Sequence, residues 1–296
     1  MKKNEILFTI VTFLVVGLFS GFCFFYFREV VNADDENSVV LGKNSIKEDY
    51  IDYYNVDALK NPFSLYKYYN PKNIERYVNY FNKNNKFTVS KIVDNVNAGV
   101  DYDFYTHTKE ADLSKDTLIL VNKYNYLDED YEPDNLVTID EDYTLGWNNL
   151  MNEDAYEHFV EMADAAKLEG IEIKNISAYR SYSMQEWLYE HYAEENDSYD
   201  IADTFSARAG FSEHQTGLAL DINMVDDDFV NSPDYLWLKD NSYKYGFILR
   251  YPKDKESITG YKFEPWHYRY VGIDIATYIY NNYITFDEYY GYFLSK

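Results

Sequence analysis

Between His214 and Asp221 lie Thr216-Gly217 and the apolar run Leu218-Ala219-Leu220, and this spacing constrains the backbone more than any other stretch of the chain. An imidazole and a carboxylate so spaced sit about 23 Å apart on a straight strand and about 10 Å apart along a helix axis. Neither separation suits one metal ion with bonds of about 2 Å. If both side chains serve one ion, the chain turns near Thr216-Gly217, where glycine tolerates unusual backbone angles. It then runs as a strand through Leu218-Ala219-Leu220 into Asp221.

A second stretch, Phe263-Glu264-Pro265-Trp266-His267-Tyr268-Arg269-Tyr270, places another histidine after another carboxylate. Pro265 biases Glu264 away from helix, so Glu264 and His267 reach one cavity from a bend or an irregular strand. The two stretches supply His214, Asp221, His267 and a spare Glu264. A catalytic zinc ion commonly takes three protein ligands and leaves its fourth position to water, with a nearby carboxylate able to move that water's proton. The single cysteine, Cys23, lies in an apolar N-terminal run, which rules out an intrachain disulfide and a thiolate cluster and leaves histidine and carboxylate as the ligands.

The pattern Ser-x-His-x-x-Gly-x-Ala-x-Asp at 212 to 221, Glu-Pro-Trp-His at 264 to 267 and Ser-Ala-Tyr-Arg-Ser at 177 to 181 together resemble the VanY-type metallo D-alanyl-D-alanine carboxypeptidases. The resemblance runs from about Leu113 to the C-terminus and includes the stretches Gly246 to Pro252 and Tyr268 to Gly272. It implies an α+β domain of the hedgehog/DD-peptidase type, with Zn2+ held by His214, Asp221 and His267 and with Glu264 as the proton-moving base. It further implies that Arg180, Gln185 and Ser212 contact the terminal carboxylate region of the substrate. The implied substrates are peptidoglycan stem peptides, from which metal-activated water removes the C-terminal D-alanine. An L,D-carboxypeptidase, a D,D-dipeptidase or an endopeptidase acting on the same wall peptides remains open.

The formal net charge of -24, from 51 acidic and 27 basic residues, argues against nucleic acid as a partner, because phosphate binding needs a basic surface. Ile6 to Phe27 is uncharged, follows Lys2 and Lys3, and exceeds the ~20 residues that span a bilayer. Positive residues on the short N-terminal side predict an N-in lipid anchor at the cell membrane, with everything after Arg28 extracytoplasmic. A cleaved signal peptide is the alternative, with small residues at Val31-Asn32-Ala33, although the apolar run exceeds the usual core of such peptides. The expected organisation is a cytoplasmic tip and anchor over 1–28, an acidic juxtamembrane stalk over 29–60, a small helical pre-domain over 61–112 and the metallo-carboxypeptidase domain over 113–296.

Within the pre-domain, Asn70-Pro71 predicts a capped helix start followed by Ile74, Tyr77, Val78 and Phe81 at helical spacing. Val89, Ile92, Val93 and Val96 form a second stripe, which Gly99 is placed to end. Further on, Leu118 to Asn122 reads as a short buried strand and Asp128 to Asp134 as a loop. Asn152 to Glu169 reads as an amphipathic helix that buries Ala155, Phe159, Met162, Ala163 and Ala166. Ile171 to Ala178 alternates as a strand, with Arg180 just beyond its end and a helix from Ser183 to about Glu194 carrying Gln185. A helix from Ser232-Pro233 to Tyr245, a strand Phe247-Ile248-Leu249, a helix from Tyr270 to about Tyr283 and a Thr285-capped helix from Phe286 to Phe293 complete the α+β pattern.

His158-x-x-Glu161 and His191-x-x-Glu194 lack the second histidine of a helical zinc motif and read as polar helix faces. His107 has no constellation around it. The acidic run Asp128-Glu129-Asp130 lacks the alternating ligands and central glycine of a calcium loop. Ser64-Leu65-Tyr66-Lys67 matches a serine-peptidase motif, but no Ser-Asp-Asn or Lys-Thr-Gly accompanies it. A non-catalytic wall-binding domain with a structural metal is the remaining competitor; a structural zinc site is normally closed by four ligands, whereas this set offers three and a base.

Overall fold

The computed structural model describes residues 61–295. The expected anchor and stalk, 1–28 and 29–60, lie outside the described residues. Among those described, no helix is long and apolar enough to cross a membrane. The chain divides into two compact units, one ending at Asn97 and the other spanning Ala98–Ser295.

The first unit is built on helices α1 (Ile74–Lys83) and α2 (Val89–Asn97). Asn70 accepts the Lys72 N–H at the start of the 3-10 turn that leads into α1, as a side-chain cap should. Tyr77 and Phe81 from α1 and Ile92, Val93 and Val96 from α2 are buried, together with Phe63. Tyr77 keeps its hydroxyl satisfied by donating to Asn97 Oδ1 at 2.6 Å while accepting from Asn70 N–H. Ser64 Oγ donates to Asn61 O.

The second unit is organised by a five-stranded mixed sheet: β1 (Thr144–Asn148), β2 (Asn175–Ser177), β3 (Ala219–Ile222), β4 (Phe247–Leu249) and β5 (His267–Tyr270). The spatial order is β1-β2-β3-β5-β4. Only β1 and β2 run parallel; the other pairings are antiparallel. Side chains alternate between faces along a strand. Leu220, Ile222, Tyr268 and Tyr270 therefore turn to one side, where they share a core with Phe159, Met162 and Ala166 of helix α3 (Glu153–Leu168). Asp221 and His267 turn to the opposite side, which carries the chemistry.

Helix α3 buries the five positions expected from its periodicity, and Asn152 caps it by accepting the Ala155 N–H. Helix α4 (Tyr182–Glu195) starts on the Ser181 cap. Helix α5 (Pro233–Asn241) starts on Ser232 and passes into a 3-10 turn that Gly246 ends. Helices α6 (Ile273–Asn282) and α7 (Phe286–Phe293) close the chain, α7 on a full capping box between Thr285 and Glu288.

Three expectations change. The strand expected at Leu118 to Asn122 does not form. Ile119, Leu120 and Val121 are buried, but the carbonyls of Thr117 and Ile119 accept from the Arg269 guanidinium at 2.9 and 2.8 Å instead of from a neighbouring strand. The helix expected from Tyr270 begins at Ile273, because Tyr270 still pairs with Phe247 in the sheet. The strand expected over Ile171 to Ala178 shortens to Asn175–Ser177.

Candidate metal centre

Register assembles the first half of the site. Asp221 on β3 and His267 on β5 are directly opposite each other in the antiparallel ladder, so their side chains emerge on the same face as cross-strand neighbours. His214 arrives by a turn: Glu213–Thr216 form a 3-10 turn, and Gly217 follows in the left-handed region at φ 69°. A Cβ on Gly217 would lie 2.7 Å from Leu136 Cδ2 and 3.1 Å from Asn152 N, so glycine answers both the backbone angle and the close approach. The turn expected at Thr216-Gly217 is thus the feature that folds His214 back over the strand.

One ligand atom from each of His214, Asp221 and His267 lies within 4.8 Å of the others, and all three residues are buried. His214 Nε2 is 3.4 Å from Asp221 Oδ2, and His267 Nδ1 is 3.3 Å from Asp221 Oδ1. His214 Nδ1 is 2.7 Å from Ala178 O, so this nitrogen carries the proton and donates, which leaves Nε2 as the lone-pair atom facing inward. Asp221 Oδ1 is buried without a hydrogen-bond partner. Two imidazoles and a carboxylate that converge around an unsatisfied oxygen are a donor set that suits zinc.

Glu264 lies just before β5, where its carbonyl accepts the His267 N–H. Its Oε2 is 3.7 Å from His267 Nδ1, beside the three ligands. In the protein without metal, burial lifts the Glu264 carboxyl to about 8, and the nearby Asp221 adds to the rise while His267 opposes it. Burial alone would press His267 down, but Asp221, Glu213 and Glu264 overcome it and raise the imidazole to about 9. Burial also pushes Asp221 upward, yet the two histidines hold it well below the usual carboxylate range. His214 is lowered, by burial and then by the Arg180 charge.

Arg180 leaves the end of β2 on a loop whose backbone docks on the His214 turn, Arg180 N–H donating to His214 O at 3.1 Å. Its guanidinium donates to Gln185 Oε1 at 2.8 Å and Ser177 Oγ at 2.9 Å, and NH2 lies 3.6 Å from Asp221 Oδ2. Both ends of the Gln185 amide are engaged, Oε1 accepting from Arg180 and Nε2 donating to Ala207 O at 2.7 Å. Ser212 is buried as the cap of the 3-10 turn, where its hydroxyl accepts the His214 N–H. Gln215 ties the acidic loop to this turn by donating to Asp128 O and Tyr131 O.

Sequence reasoning missed a buried ionic network beneath the site. Glu213 Oε1 accepts from Arg250 Nε at 2.8 Å and from Arg269 NH1 at 2.9 Å, and Arg250 NH1 donates to Asp287 Oδ2 at 2.6 Å. Burial opposes ionisation of Glu213, but the two arginines hold its carboxyl well below the usual range. The available signal was a charge inside an apolar aromatic strand, Tyr268-Arg269-Tyr270 above all. The remaining histidines stay apart from the centre: His158 is half-buried against the Tyr270 ring, His191 is exposed and stacked on Trp187, and His107 is exposed.

Residues 148–273 match the family model described as VanY, D-alanyl-D-alanine carboxypeptidase. The carboxypeptidase-named Bacillus subtilis protein YodJ is 40% identical over 182 residues, 58% of this chain and 66% of that protein, just under two thirds of its length. A D-alanyl-D-alanine carboxypeptidase of Enterococcus faecalis is 35% identical over 192 residues, 62% of this chain and 69% of the relative. Among solved structures, the LdcB LD-carboxypeptidase superposes with a TM-score of 0.59 at 38% identity, covering 63% of this chain and 91% of that one. A variant of the vancomycin resistance D,D-pentapeptidase VanY, in complex with Zn(II), gives 0.51 at 36% identity, covering 58% of this chain and 98% of that one.

Proposed function

The chain belongs to the VanY family of D-alanyl-D-alanine carboxypeptidases, and on that premise we propose that it is a zinc-dependent carboxypeptidase that removes the C-terminal D-alanine from peptidoglycan stem peptides. The observation that carries the reading is the meeting of His214, Asp221 and His267 with a second buried carboxylate, Glu264, that is not needed as a ligand. His214 Nε2, Asp221 and His267 Nδ1 would hold the ion. The chemistry a bound zinc ion supplies there is polarisation of the scissile carbonyl and acidification of the attacking water. Glu264 takes the proton from that water at its carboxylate and returns it to the leaving amine. Its position supports this role: the carboxylate is buried, lies 3.7 Å from His267 Nδ1 beside the ligands, and is left free to accept a proton.

Arg180 holds the substrate's terminal carboxylate, and Gln185 and Ser177 fix the plane of its guanidinium from behind. A fixed fork of this kind limits cleavage to the last peptide bond. A second reading, release of D-alanine from an L,D-linked terminus, is favoured by the likeness to the LdcB LD-carboxypeptidase. The uncharged run Ile6 to Phe27 supports an N-in lipid anchor with the peptidase outside the membrane. Protease added to intact, wall-stripped cells should then digest the domain, and protection would contradict that topology. The zinc assignment is tested by elemental analysis and chelation: about one zinc per chain is expected, with activity lost on chelation and restored by zinc. A metal-free protein that remains active would overturn it.

A further inference from the structure

Glu213 neighbours His214 in the chain but points away from it, toward His267. Its Oε2 is buried without a hydrogen-bond partner, and so is His267 Nε2. The two atoms face each other at 3.8 Å, beyond hydrogen-bond reach. Buried polar atoms are seldom left unpaired in folded proteins, and here two such atoms of complementary character face each other. The opposite edge of the same imidazole, Nδ1, faces Asp221 and Glu264.

We propose that Glu213 is a positioning residue of the metal centre: in the metal-loaded protein His267 Nε2–H donates to Glu213 Oε2, which fixes Nδ1 as the ligand atom. The assignment rests on the zinc reading of this site. A ligand histidine usually donates its other N–H to such a partner, which sets the tautomer and the ring orientation. Here the partner is itself immobilised. Arg250 and Arg269 both donate to Glu213 Oε1, Arg269 is anchored on the carbonyls of Thr117 and Ile119, and Arg250 is anchored on Asp287. Asp287 lies in the first turn of α7, and its other oxygen accepts from Asn122 Nδ2 at 2.8 Å. The last helix therefore reaches the metal centre through Asp287, Arg250 and Glu213. The two ligand histidines use opposite nitrogens, Nε2 of His214 and Nδ1 of His267.

The test uses the full-length chain labelled with 15N-histidine and loaded with 113Cd. Expected is cadmium coupling to His267 Nδ1 and His214 Nε2, with a His267 Nε2–H proton protected from exchange. Coupling through His267 Nε2 overturns the assignment whether or not any variant folds. In parallel, chelator competition should show a zinc affinity ~10–100-fold lower for Glu213→Gln, whereas Asp287→Asn, which disturbs the same network without touching His267, loses less than the lower end of that range. Equal losses in the two variants, or none in Glu213→Gln, would assign Glu213 to fold stability alone. A chain that binds neither ion overturns the zinc reading and this assignment with it.

Discussion

Replacing Arg180 by alanine tests whether the enzyme reads a free carboxylate. The guanidinium has five N–H groups, and the structure commits one to Gln185 Oε1 and one to Ser177 Oγ, which leaves the others for a ligand. Truncating one partner of a buried, hydrogen-bonded charge pair costs roughly 2–5 kcal/mol. At about 1.36 kcal/mol per factor of ten, kcat/KM should fall by about 30-fold to about 5,000-fold. Amidating the substrate's C-terminus removes the other partner, so it should cost the wild type a similar factor and Arg180→Ala little more. The substitution also strips Gln185 Oε1 of its donor at a side chain only 1% exposed, so the melting temperature should fall while metal content holds. Rates are therefore compared per metal-loaded, folded protein, by chromatographic assay of paired free and amidated peptides. Arg180→Lys, which keeps the charge without the planar fork, should fall between wild type and alanine. Equal hydrolysis of amidated and free peptides by the wild type would refute the reasoning and make an endopeptidase the better description.

Glu264→Gln should keep its metal, since the side chain is not a ligand, and lose roughly 100-fold or more in turnover; unchanged turnover at full metal content would reject Glu264 as the base. Lys123 offers a test remote from the chemistry. Its Nζ lies over the rings of Phe104, Tyr105 and Tyr261 and donates to Asp203 O, and burial lowers its pKa to about 8. Between about pH 8 and about 10.4 the unfolded chain keeps a proton that the native chain has lost, so this group's contribution to stability rises with pH through that window. The unfolding free energy of wild type minus that of Lys123→Met, from urea melts, should increase across it by at most roughly 3 kcal/mol. A flat difference would show that the ammonium is not desolvated.

What could be read from residues alone was local. The helix Glu153–Leu168 showed its buried face because a 3.6-residue period repeats over four turns. The turn between His214 and Asp221 followed from the impossibility of joining them on regular backbone. The pairing of Asp221 with His267 was not legible, because it depends on the register between β3 and β5, strands far apart in the chain. The network of Glu213, Arg250, Arg269 and Asp287 was hidden for the same reason: each charge has a partner at least 37 residues away. The apolar run at Leu118 to Val121 looked like a strand because burial and strand formation share one hydrophobic signal. A guanidinium satisfying its carbonyls leaves no trace in the local sequence.

The most direct test of the account is mass spectrometry of defined tetra- and pentapeptide stems after incubation with the zinc-loaded protein. The account predicts loss of a single C-terminal D-alanine from stems with a free carboxylate, abolished by chelation and restored by zinc. Intact stems under zinc-loaded conditions, or cleavage at an internal bond with the terminal residue retained, would contradict it.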